Sequence, residues 1–232
     1  MSQKNNLHSL YHEHAVNKYP STIIRHPVIF RRSLLTPLPR SFYLQPTLKV
    51  AQELLGKYFL RRIGKNLLLG KIVEVEAYRS DDPASHSFHG KTDRNSVMFC
   101  EGGYLYVYFI YGMHLCANIV TGREAVGEAV LIRAVEPMVG IEVMTKNRFP
   151  QLQQQNYQFL INLTNGPAKF SEAFHITRRE NGCDLTSSDI LITDGEIISS
   201  RSIGRSSRIG IRHGTGKKWR FFIKENPWVS KK

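Results

Sequence analysis

The sequence predicts an α+β fold, a single domain in which short strands and short helices alternate along residues 43–232. Three observations lead there. Apolar residues alternate with polar ones over short stretches, the period of a half-buried strand, and between these stretches they recur at helical spacing. No internal repeat and no linker interrupts the chain after residue 43. The composition, 41% hydrophobic and 22% charged over 232 residues, is that of a chain able to bury a full core without disulfides. The same composition excludes wholly disordered, collagen-like and disulfide-scaffolded chains. The run of about 18 apolar residues that a membrane span requires is absent from the sequence.

Residues 1–42 hold six lysines or arginines against one acid, with four prolines and no sustained period. They read as a basic, poorly ordered N-terminal extension to a domain spanning 43–232. Met1 to Tyr11 lacks the apolar core of a secretory signal. Thr47 to Leu55 is expected to be a helix capped by Thr47 and ended by Gly56. Lys71 to Tyr78 alternates as a strand, with Glu74, Glu76 and Tyr78 on one face and Val73, Val75 and Ala77 on the other. Residues 79–103 are polar and glycine-punctuated, so a long loop is expected, and such loops are usually functional. Tyr104–Tyr111 and Leu115–Val120 form a hairpin around Gly112, and Ala129–Val135 is a further strand. Pro137 is expected in the first turn of a helix reaching about Asn147. Residues 150–160 read as a loop, Gly166–Phe174 as a short helix, and Ile190–Ile198 and Trp219–Ile223 as strands.

Cys100, Cys116 and Cys183 show no CxxC spacing, which argues against a disulfide framework and a structural zinc site and for reduced thiols inside a cell. The net charge is +13 and unevenly spread. Residues 201–232 carry ten basic side chains against one acid, while 71–145 carry six against ten. Basic ends around a slightly acidic middle point to a polyanionic partner, most often nucleic acid. Basic tails can also serve solubility alone.

Several residues could carry chemistry. Glu76 could act as a general base on water if its strand face lines a cleft. From the strand alone, a plain solvent face is the favoured alternative. Asp81, Asp82, His86 and His89 could hold a metal, but no second ligand cluster accompanies them. His86 could instead form a hydrogen-bonding pocket wall. Tyr104, Tyr106, Tyr108 and Tyr111 suit cross-strand packing and base stacking equally. Tyr111, at a hairpin tip, is placed to wedge into a duplex. Asn118 could read a base edge or simply satisfy a turn. Arg133, within an apolar run, needs a carboxylate or phosphate partner, with Glu76 and Glu136 as the protein candidates. The arginines and lysines after residue 200 are interleaved with glycines that let phosphates approach, although such runs are usually solvated loops.

Val73-Glu74-Val75-Glu76-Ala77-Tyr78, Ala84-Ser85-His86-Ser87, Arg94-Asn95, Met98-Phe99 and Leu105 to Met113 follow one another in order. Asn118-Ile119, Leu131 to Pro137, Gly166-Pro167-Ala168-Lys169 and Asn226 to Ser230 continue the series. Over residues 43–230 this series resembles the alkyladenine (3-methyladenine) DNA glycosylases. The resemblance implies a mixed, largely antiparallel sheet with a protruding β-hairpin that inserts into DNA. It implies a monofunctional base-excision repair enzyme that flips damaged purines out of duplex DNA and hydrolyses their N-glycosidic bond. By motif position, Glu76 would activate water and Arg133 would hold that water or a phosphate. Tyr78, His86, Tyr108 and Asn118 would form the base pocket, and Tyr111 with Met113 would intercalate. Lys169, Arg208, Arg212, Lys217 and Lys218 would contact phosphates. No metal or other cofactor is implied. The partner is double-stranded DNA with damaged purines, engaged by a monomer away from membranes, in the bacterial nucleoid or a eukaryotic nucleus.

His89 and Asp93 depart from the arginine and proline that many members carry beside the pocket. Two other readings compete. A nonenzymatic DNA-binding protein would share the charge and aromatics without needing Glu76 and Arg133 together. A metal-dependent hydrolase would use Asp81, Asp82, His86 and His89, and would lose activity in a chelator.

Overall fold

The computed structural model describes residues 36–110, 112–151 and 157–230. Residues 36–42, expected within the N-terminal extension, are seated on the folded body. Pro37 bridges to Thr193, and the Leu38 amide donates to the Ile192 carbonyl at 2.8 Å. Arg40 donates to Asp184 at 2.6 Å and to the Gly102 carbonyl at 2.9 Å. A one-turn helix α1 (Arg40–Tyr43) then leads into α2 (Thr47–Glu53). Thr47 does not cap α2 as expected. Its hydroxyl turns inward to Thr121, at 2.9 Å, and to Glu128. Gly56 follows at φ +85°, where a Cβ would come within 2.3 Å of the Glu196 carbonyl oxygen. Only glycine fits that turn without strain.

Nine strands form one sheet among the described residues. They are β1 (Tyr58–Ile63), β2 (Asn66–Tyr78), β3 (Tyr104–Ile110), β4 (His114–Thr121) and β5 (Glu128–Val139). Four short ones follow, β6 (Cys183–Asp184), β7 (Ile190–Thr193), β8 (Ile203–Ser206) and β9 (Arg220–Ile223). The order is β6-β3-β4-β5-β2-β1-β7, every pairing among the described residues being antiparallel. One edge of β2 pairs with β5 along most of its length. The other edge pairs with β1 over residues 66–71 and with β9 over Glu74–Glu76, and β8 lies outside β9. The middle of β2 is therefore enclosed on both sides.

Three helices, α3 (Ile141–Arg148), α4 (Tyr157–Thr164) and α5 (Pro167–Ala173), join α2 on one face of the sheet. Phe59 meets Phe170 and Phe174 edge-on at 4.9 and 5.2 Å, amid Leu68, Ile72, Val75, Ile132 and Val135. Each such fully buried side chain contributes roughly 1.5–3 kcal/mol.

Some elements differ from the sequence reading. Pro137 opens no helix. It continues β5 opposite Gly70, beside a register shift that accommodates a residue lacking an N–H, and the helix starts at Ile141. Tyr157 begins α4 where a loop was expected, while residues 152–156 of that expected loop lie outside the described residues. The strand at Ile190 stops at Thr193 rather than Ile198. The long loop contains a 3-10 helix, Asp93–Phe99.

The feature that positions the site is a break in alternation. Leu68, Gly70 and Ile72 face the helices, and so do Val75 and Ala77. The parity changes between residues 72 and 75, where the register with β5 shifts on both sides of Glu74. Val73 packs on the other face against Ala134 and Trp228. Glu74, Glu76 and Tyr78 consequently face away from the helical layer.

Candidate active site

Glu76 lies in the enclosed middle of β2, with no exposed surface. Its Oε1 accepts the Ile209 amide at 2.7 Å and lies 3.2 Å from Arg133 Nη1. Its Oε2 accepts the Tyr78 hydroxyl at 2.8 Å. Each carboxylate oxygen offers two lone pairs, so Oε2 keeps one acceptor position. A buried carboxylate must be matched by charge and hydrogen bonds, and these donors supply both. Tyr78 keeps its proton firmly. Burial raises its pKa far above the usual phenol value, and the neighbouring carboxylate adds to the effect.

The scaffold under Glu76 is a charge-balanced cluster. Arg133 Nε donates to Glu74 at 2.9 Å, and Arg220 Nε donates to the same carboxylate at 2.7 Å. Ser230 adds its amide at 2.6 Å and its hydroxyl at 2.9 Å. Two carboxylates thus face two guanidinium groups, all nearly free of solvent. Burial disfavours the charge on Arg133, but Glu76 and Glu74 outweigh it and hold the guanidinium more firmly protonated than usual.

Beside this cluster stands an aromatic wall on the β3–β4 hairpin. Tyr106 and Tyr108 stack at 5.5 Å, and His86 meets Tyr108 edge-on at 4.4 Å. His86 Nδ1 lies 3.1 Å from the Tyr106 hydroxyl. The loop is fixed from behind. Asn95 donates to the carbonyls of His86 and Gly90 at 2.8 and 3.0 Å, and Ser87 donates to the Gly127 carbonyl at 2.5 Å. Burial pushes Tyr106 up to about 12 and the Cys116 thiol, beside Tyr108, up to about 11. Burial, then the charge of Arg94, keeps His86 below its usual value, so its ring is neutral at pH 7.

The family model that matches residues 41–227 is described as methylpurine-DNA glycosylase. Three bacterial relatives share the name "Putative 3-methyladenine DNA glycosylase". The protein of Carboxydothermus hydrogenoformans is 46% identical over 84% of this chain and 99% of its own length. That of Clostridium novyi is 46% identical over 84% and 98%, and that of Francisella tularensis 43% over 80% and 94%. The chain belongs to the methylpurine-DNA glycosylase family. It is a DNA glycosylase, a hydrolase of N-glycosyl bonds in base-excision repair.

In this glycosylase Glu76, Tyr78 and Arg133 come together on one sheet face, with His86 and Tyr108 along the adjoining wall. Arg133 takes Glu74 and Glu76 as its partners. Glu136, the other candidate, is turned to Lys71 and Asn226 instead. Asn118 is buried, its amide donating to the Tyr106 carbonyl at 3.3 Å. Met113 protrudes from the hairpin, 73% exposed, while Tyr111 lies outside the described residues. Arg208 cannot contact a phosphate as it stands. Its side chain has no exposed surface and is paired with Asp82. Lys169 donates to Asn162 and Asn165 at 3.1 and 2.8 Å, whereas Arg212 and Lys218 are exposed and Lys217 is half-buried.

Among the described residues no three His, Cys, Asp or Glu side chains gather as a metal-holding group, and no helix is long and apolar enough to cross a membrane. A cavity of about 450 Å³ lined by Arg61, His175, Thr177, Arg179 and Glu180 includes none of the expected pocket residues. Sequence reasoning missed Glu74, Asn95 and Ser230 as site components. Glu74 had a signal, since it shares the strand face of Glu76; Asn95 and Ser230 lay within the motif series, but nothing there gave either a role.

Proposed function

We propose that this glycosylase flips alkylated or deaminated purines from duplex DNA and hydrolyses their N-glycosidic bond with a water activated by Glu76. The substrates are 3-methyladenine, 7-methylguanine, hypoxanthine and ethenoadenine. The observation that carries the reading is the buried Glu76 carboxylate between Arg133 and Tyr78, with an aromatic wall beside it. The C1′–N bond breaks with its electron pair leaving on the base. Water oxygen bonds to C1′, and its proton passes to the carboxylate. The same carboxylate stabilises the positive sugar as the bond opens. Arg133, 3.2 Å from the Glu76 carboxylate, orients it for this step.

Tyr108 and His86 take the flipped base by stacking and hydrogen bonding, and Asn118 opposes the exocyclic amine of normal guanine. Tyr111 and Met113 fill the gap left in the duplex. The chemistry calls on no lysine nucleophile, so the product is an abasic site in an uncut strand. Incubation with duplexes carrying each lesion, then alkali to reveal abasic sites, tests the reading. Glu76→Gln should bind the hypoxanthine duplex as wild type does and release base on the order of 100-fold more slowly or worse. Full activity in that variant removes Glu76 from the reaction, and no release of any lesion by wild type defeats the whole proposal.

A further inference from the structure

Asp82 and Arg208 have no part in the chemistry above, yet neither side chain exposes any surface. Arg208 donates through Nη1 to Asp82 and, at 2.9 Å, to the Ala77 carbonyl. Its guanidinium plane lies over the rings of Tyr78, at 4.6 Å, and Trp219, at 5.3 Å. The next residue, Ile209, gives its amide to Glu76. One short segment between β8 and β9 therefore grips β2 with a side chain and caps the carboxylate of β2 with a backbone N–H. Lys217 extends the grip, 3.7 Å from Asp82 and 4.2 Å above the Trp219 ring. Gly214, at φ +64°, leaves room for it, since a Cβ there would come 2.7 Å from Asp82 Oδ1 and 3.0 Å from Arg208 Nη2. Burial opposes ionisation of Asp82, but hydrogen bonds from Arg208 and the Ala84 amide outweigh it and hold the carboxyl below its usual range.

Stability alone accounts poorly for this pair. Desolvating two charges rivals what their attraction returns, and an apolar pair would fill the space as well. Arg208 Nε is also buried without an acceptor, a cost that a purely stabilising contact would avoid. What the arrangement does supply is a fixed position for Tyr78 and Ile209, two of the donors on Glu76. Groups around a reacting centre need such support, because small displacements of a catalytic group are costly in rate.

We propose that Asp82 and Arg208 are positioning residues, which hold the Tyr78 hydroxyl and the Ile209 amide on Glu76 and so orient its carboxylate. This rests on the role given to Glu76 above. The test uses the full chain and a hypoxanthine duplex, with Asp82→Asn, Arg208→Lys and Gly214→Ala, the last keeping both charges while pressing on their contact. Single-turnover excision at saturating enzyme should fall on the order of 100-fold for Asp82→Asn. It should fall about tenfold for Arg208→Lys, whose ammonium cannot reproduce the fork. Duplex affinity should stay within about threefold of wild type in all three. In a Glu76→Gln background the same substitutions should slow excision no further, because they act through a group already lost.

Unchanged single-turnover rates in any two variants that fold overturn the proposal. So does a loss of equal size in the Glu76→Gln background, or a parallel loss of duplex affinity, either of which marks a structural role. Failure of the underlying reading is separate, because Glu76→Gln alone would then retain wild-type excision.

Discussion

Arg133 sits between two carboxylates, 2.9 Å from Glu74 and 3.2 Å from Glu76, in a position that water scarcely reaches. Its removal leaves two buried negative charges facing the single guanidinium of Arg220. Arg133→Gln should therefore destabilise the protein by about 3–5 kcal/mol in urea denaturation, far more than loss of an exposed ion pair. His86 makes a different prediction. Burial and Arg94 lower its pKa, so the folded state disfavours the proton. The stability contributed by neutral His86 is present above the unfolded value, 6.5, and is lost as pH falls through the lower folded value. An NMR titration of the ring should show a midpoint below 6.5, and His86→Gln should flatten the fall in Tm on acidification. A midpoint above 6.5 would mean that a carboxylate, rather than the aromatic wall, governs the ring.

At the scale of elements, the hairpin of β3 and β4 and the connection from α2 to β1 play opposite parts. The hairpin carries Tyr106 and Tyr108 on its wall and the exposed Met113 near its tip. Tyr111→Ala should reduce the fluorescence change of a base-analogue duplex, and an unaltered signal would remove the wedge assignment. The connection carries Gly56 at φ +85°, with the Glu196 carbonyl oxygen 2.3 Å from where a Cβ would lie. Gly56→Ala should lower stability by about 2 kcal/mol and leave excision by the folded protein unaffected. These elements were legible for a definite reason. Tyr104–Ile110, Pro167–Ala173 and most of β2 have strong local periods and clear glycine or proline boundaries. The strand β1 passed unnoticed, since Arg61 and Arg62 interrupt its apolar pattern and only the tertiary pairing with Glu180 buries Arg61.

Over the whole molecule the net charge is +13, and the buried cluster of Glu74 and Glu76 with Arg133 and Arg220 is balanced within itself and adds nothing to that sum. Arg208, although part of the basic C-terminal run, belongs to that interior and adds nothing to the surface. Duplex affinity should fall with salt at about −0.9 log units per log unit for each phosphate neutralised. Removing residues 1–35, with five basic side chains against one acid, should flatten the slope if they reach DNA and leave it unchanged if they are idle. Removing 1–42 should lower Tm, because Leu38 and Arg40 are tied to the sheet through Ile192 and Asp184.

The sequence by itself determined the fold class and the hairpin, and its resemblance to the family set Glu76, Tyr78, His86, Tyr108 and Arg133 together as a group. Local period and ordered motifs are written along the chain and need no third dimension. Only the tertiary structure decided what the face of Glu76 meets, and that Ile72 and Val75 share the opposite one. Strict alternation from Ile72 would have turned Glu74, Glu76 and Tyr78 into the apolar helical layer. The register shifts around Glu74 turn them to the opposite face, where Arg133, Arg220 and Ser230 wait from distant parts of the chain. A strand's period is a local property of its residues, whereas an irregularity in that period depends on the partner strand, which the sequence of β2 does not contain.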